Sequence, residues 1–120
     1  MNKTQLAAAA ITAALAGAAH AAVPKEFQGY WRNDVTSLSV TATTIHEPGY
    51  GCDIKKTKRV QDPAGELALY QINMVCRDEG PKQPSLPVKS LWAIRKTSCG
   101  DVLIITTLPD SIQVFQRDNS

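Results

Sequence analysis

Gly51-Cys52-Asp53-Ile54-Lys55-Lys56-Thr57-Lys58-Arg59-Val60 and Leu67-Ala68-Leu69-Tyr70-Gln71-Ile72-Asn73-Met74-Val75-Cys76 stand on either side of Asp62-Pro63-Ala64-Gly65. That central tetrad carries turn chemistry: a side-chain acceptor at Asp, a fixed φ at Pro and freedom for positive φ at Gly. A hairpin centred near Ala64 therefore joins two predicted strands, 51–60 and 67–77. Folding them about that point opposes Cys52 to Cys76, Ile54 to Met74 and Val60 to Ala68. Directly opposed residues of an antiparallel pair lie about 4.5–5.5 Å apart at Cα, within reach of a disulfide. Three cysteines allow three single bridges, and this register selects Cys52–Cys76. Closing a loop of this length contributes about 3 kcal/mol on the chain-entropy account.

The same register raises a difficulty. Strict alternation places Lys56 and Lys58 on the face of Cys52 and Ile54, and sends Asp53, Lys55, Thr57 and Arg59 to the other. Buried lysines are not tolerated there. Either a bulge re-aims the strand near the turn, or the ammonium heads reach water at an open barrel end.

Working outward, stretches rich in Val, Ile, Thr, Tyr and Trp at 27–33, 37–46, 88–96, 101–108 and 111–117 read as further strands. No segment after Pro24 keeps helical spacing over three turns. The expectation is an all-β fold: a small antiparallel meander of six or seven strands closing into a reduced barrel or half-barrel, stapled by one disulfide. Leu91-Trp92-Ala93-Ile94 and Val102-Leu103-Ile104-Ile105 are apolar on both faces, as central strands or strands crossing a barrel wall would be. Gly80–Pro87, with three prolines, reads as a surface loop.

Upstream, Lys3, the apolar run Leu6–Ala19 and the small-x-small triplet Ala19-His20-Ala21 form a secretory signal pattern. Cleavage would remove residues 1–21 and leave one domain, 22–120. The apolar run is shorter than the roughly twenty residues a membrane-spanning helix needs, so no membrane span is expected. An exported, disulfide-permissive address, periplasmic or secreted, follows. The chain has 13 Lys and Arg against 11 Asp and Glu, a balance that gives no support to nucleic-acid binding. Lys55-Lys56-Thr57-Lys58-Arg59 is the local exception. It reads as a solvated face or as contact with an anionic surface or polymer.

Phe27-Gln28-Gly29-Tyr30-Trp31 resembles the Gly-x-Trp opening of lipocalin-type and avidin-type barrels. The resemblance implies that Gly29 lets the first strand bend, that Trp31 closes the barrel base, and that Arg117 of the last strand lies over the indole. It also implies a cavity for a small apolar ligand, with Phe27, Tyr70 and Trp92 near the inner positions. The layout is also similar to small exported bacterial proteins of unassigned activity.

Chemistry is sparse. His46 beside Glu47 lacks the further ligands a zinc site needs, even with Asp53. Asp78-Glu79 are adjacent and point apart. No nucleophile elbow, phosphate loop or dinucleotide fingerprint is present. No cofactor and no metal are expected. Cys99, in the turn Thr97-Ser98-Cys99-Gly100-Asp101, is the odd cysteine: a spare free thiol, an intermolecular bridge making a dimer, or a reactive group. Three functional expectations stand. The first is a non-enzymatic binding, accessory or inhibitor-like module acting on another envelope protein. The others are a carrier of a small apolar ligand and a thiol-based enzyme using Cys99 or His46. A purely structural role remains beside them.

Overall fold

The computed structural model describes residues 22–65, 67–107 and 111–119. The signal pattern at 1–21 and the turn residues Leu108-Pro109-Asp110 lie outside the described residues. After a 3₁₀ turn at Lys25–Phe27 come eight strands: β1 (Gly29–Arg32), β2 (Ser37–Val40), β3 (Thr44–Glu47), β4 (Tyr50–Val60), β5 (Leu69–Asp78), β6 (Leu86–Thr97), β7 (Gly100–Thr107) and β8 (Ser111–Arg117). Each pairs antiparallel with the next, and β1 pairs with β8 to close a barrel. The meander is as expected. The strand count rises because 37–46 divides in two. Thr41 makes that division: its Oγ1 accepts from the amides of Thr43 (3.3 Å) and Thr44 (3.0 Å), and its own amide donates to Thr44 O at 2.9 Å. A hydroxyl that satisfies the backbone locally ends the ladder.

In the β4–β5 hairpin Cys52 faces Cys76 and Ile54 faces Met74, and Cys52–Cys76 is the disulfide. The register then shifts between Ile54 and Lys56, so that Thr57 opposes Ile72 and Val60 opposes Leu69, not Ala68. This is the bulge that the lysines demanded, placed next to the disulfide and not near the turn. The extra residue restores an inward position to Thr57, 5% exposed, and turns Lys56 and Lys58 out to water. Thr57 therefore belongs to the inner face, contrary to strict alternation from Cys52.

Consecutive antiparallel strands put the β2–β3, β4–β5 and β6–β7 turns at one end of the barrel, where β1 also begins. The N-terminal segment crosses that end. Val23 donates to Ala42 O at 2.8 Å, and Thr57 Oγ1 donates to Ala22 O at 3.1 Å. Phe27 is wholly buried, edge-on to Tyr70 (5.3 Å between centroids) and Trp92 (5.7 Å). Inside, Trp31, Trp92, Phe115, Ile72 and Leu103 each show no exposure. An eight-stranded barrel has an interior just wide enough for side chains to fill. β6 extends beyond its expected span at both ends, taking Leu86 and Pro87 out of the loop.

Candidate functional site

The closed end is held by a clamp of three residues that the sequence singled out. Trp31 on β1 opposes Arg117 on β8, and the guanidinium carbon lies 4.1 Å from the indole centroid. Arg117 Nη1 donates to Gln28 O at 3.0 Å and Nη2 to Glu26 O at 2.6 Å, while Trp31 Nε1 donates to Phe27 O at 2.9 Å. Nη2 also pairs with Asp101 at 3.3 Å, and Asp101 in turn pairs with Lys96. Gly29 permits this: it has φ +124°, and a Cβ there would meet Arg117 Nη1 at 3.1 Å. The clamp ties the 3₁₀ turn to both closing strands. Its polar groups are engaged with one another, so it is built to hold the barrel shut.

Phe27, Trp31, Tyr70 and Trp92 do converge on the interior, but as packed core. One polar atom there is unmatched. Among the described residues, Trp92 Nε1 is the buried side-chain nitrogen or oxygen without a hydrogen-bond partner, at a cost of about 1–3 kcal/mol.

At the far end His46 Nε2 lies 2.9 Å from Glu79 Oε1, both well exposed. They border an outer groove of about 590 Å³ that also takes in Asp53, Arg77 and Asp78. Burial raises the Glu47 carboxyl above its ordinary value. Burial first, then the charges of Glu47 and Asp78, raises the Tyr50 phenol. Among the described residues no group of three or more His, Cys, Asp or Glu could hold a metal ion, and no helix is long and apolar enough to cross a membrane. Cys99 sits in the β6–β7 turn as a free, exposed thiol.

The outer wall of β4–β8 is the feature that motif reading passed over. Following the register across the sheet, Val60, Leu69, Ala93, Ile104 and Val114 form one continuous apolar row. The row beside it runs Lys58, Gln71, Leu91, Thr106 and Ile112, and the next Lys56, Asn73 and Lys89. On the other side lie Arg95, Val102, Gln116 and Arg32. Ile112 and Val114 are 69% and 50% exposed. The signal was present in the sequence, where 91–94 and 102–105 are apolar on both faces, but only the pairing shows that these outward residues line up.

Comparison with protein-family models, with curated proteins and with solved structures returned no match.

Proposed function

We propose that this chain is a non-enzymatic binding module of the cell envelope, accessory or inhibitor-like, that engages another protein through the outside of its barrel. The observation that carries this reading is the apolar row across β4–β8, exposed at Val114 beside Ile112 and partly exposed at Val60, Leu69 and Ile104, with Ala93 buried between them, while the interior is filled with side chains. Apolar surface that is contiguous and rimmed by polar groups marks interaction sites. The disulfide supports an oxidising compartment and so an exported address. The stack of Arg117 on Trp31 behind Gly29 supports kinship in build with lipocalin-like barrels. Cys99, exposed at the turn between β6 and β7, gives the module a route to a covalent dimer.

The test immobilises the protein and passes over it an envelope extract from its source cells, beside the double variant Ile112→Asp/Val114→Asp, whose side chains lie outside the core. Retention of one dominant protein by the wild type and not by the variant is expected. Equal retention by both, or none by either, overturns the reading.

A second reading, carriage of a small ligand inside the barrel, is favoured by the unpartnered Trp92 Nε1. Such a ligand would need a hydrogen-bond acceptor as well as apolar surface. Titration of tryptophan emission against fatty acids and small ketones tests it, and a flat response across both removes it.

A further inference from the structure

The rows flanking the apolar row are rich in cations, while Asp34 borders Val114 and Gln116 at one end of it and Asp62 borders Val60 at the other. Those rows contain Lys56, Lys58 and Lys89 on one side and Arg95 and Arg32 on the other, with Lys55 in the bulge, and no carboxylate occupies any of these positions. All six cations are exposed. The ion pairs among the described residues are Lys96–Asp101 and Arg117–Asp101, beside the His46–Glu79 contact, so none of the six is in one. In a chain whose basic and acidic residues nearly balance, 13 to 11, that concentration of cations gives the wall a net positive field between the two flanking carboxylates. The bulge at Ile54/Lys56 produces it, by turning Lys56 and Lys58 outward beside Lys89.

We propose that this wall docks into an acidic cleft of a protein partner, with Leu91, Ile104, Ile112 and Val114 against the cleft's apolar floor and the lysine and arginine rows against its carboxylate walls. The inference rests on the binding-module reading and names the chemistry of the partner. Complementary potential across an interface favours encounter and rejects wrong partners, and an apolar centre with a polar rim is the usual interface plan. Shape selects a cleft. The apolar row crosses β4 to β8, five of the eight strands of a closed barrel, so it is convex and wraps about half the circumference. A flat lipid surface would touch a strip of it and leave Lys58 and Arg32 facing away. A second copy would bring like charges together.

The probes are poly-L-glutamate and a poly(Glu,Tyr) copolymer, acidic chains without and with apolar side chains, assayed against the full protein by tryptophan emission and sedimentation. Tighter binding of the copolymer is expected, weakening as salt rises. Lys56→Glu/Lys58→Glu should weaken both about tenfold, whereas Lys25→Glu/Lys82→Glu, away from the wall, should change neither. Val114→Asp should abolish the preference for the copolymer. Wild-type affinity in the Lys56/Lys58 variant overturns the proposal. So does binding to vesicles of equal phosphatidylcholine and phosphatidylglycerol in preference to the polymers, or a concentration-dependent dimer that the Lys56/Lys58 variant abolishes. Failure with the polymers leaves the extract experiment with Ile112→Asp/Val114→Asp standing on its own, so the two readings fail separately.

Discussion

Deletion of a residue from the middle of a long strand ordinarily turns one flank inside out, yet deletion of Lys55 should leave this barrel folded. Lys55 is the extra residue between the pairs Ile54↔Met74 and Lys56↔Asn73. Without it, Lys56 follows Ile54 in plain alternation, outward, and Thr57 follows inward against Ile72, so every remaining pair keeps its partner. What is lost is local twist and one exposed side chain, for an expected cost of at most about 2 kcal/mol. Deleting Asp53 removes a residue from the regular part of the ladder and cannot keep both Cys52 and Ile54 inward. Either Cys52 turns outward and the disulfide is lost, at about 3 kcal/mol, or Ile54 turns outward, at about 2 kcal/mol plus the burial of Lys55 in its place opposite Met74, so either route costs about 3 kcal/mol or more. That is a large share of the stability of a typical domain, about 5–15 kcal/mol. Urea unfolding followed by tryptophan emission, with free thiols counted under denaturing conditions, reads both. The deletion of Lys55 should show one free thiol per chain and a transition near that of the parent, and the deletion of Asp53 a lost or much earlier transition. Equal damage from the two deletions would refute the bulge as the device that sets which face Thr57 and the lysines occupy.

Arg117→Ala removes the stack on Trp31 and two charge-assisted hydrogen bonds to carbonyls, and should cost about 3 kcal/mol, with Arg117→Lys recovering less than half. Amide exchange should accelerate at Phe27 and Gln28, and unchanged exchange there would contradict the clamp. Glu47 has its carboxyl raised by burial, so the folded state holds that proton more tightly than the unfolded chain. Its contribution is fully present below the ordinary carboxylate range and is lost as pH rises through the raised value. Glu47→Gln should therefore match the wild type near about pH 3.5 and exceed it in stability near about pH 7; a pH-independent difference would count against this. Maleimide should label Cys99 alone in the native, non-reduced protein, and Cys99→Ser should unfold with the wild type while losing any reductant-sensitive dimer.

Much of the architecture was legible in local chemistry. Pro63 and Gly65 announced the turn, the cysteines agreed with it, and alternation gave the strands. Thr41–Thr43 was not legible as a break, because threonine is also a strand former and only its side-chain hydrogen bonds show which role it plays. The Gly29, Trp31 and Arg117 positions were legible by resemblance. The outer wall was not, since a residue apolar on the second face of a strand looks the same whether a partner element covers it or water does.

By itself, then, the sequence determined the all-β meander, the Cys52–Cys76 pairing and the solvent-exposed turn at Cys99, all consequences of neighbours within one hairpin. Only the tertiary structure decided where the bulge lies, that Arg117 reaches across the closure to hold the N-terminal turn, and that cations gather beside a continuous apolar row. The bulge depends on which face of its own hairpin the closed barrel buries, and the other two on registers that join strands from opposite ends of the chain. Barrel closure sets such registers through the summed twist and packing of all eight strands, which no single segment encodes.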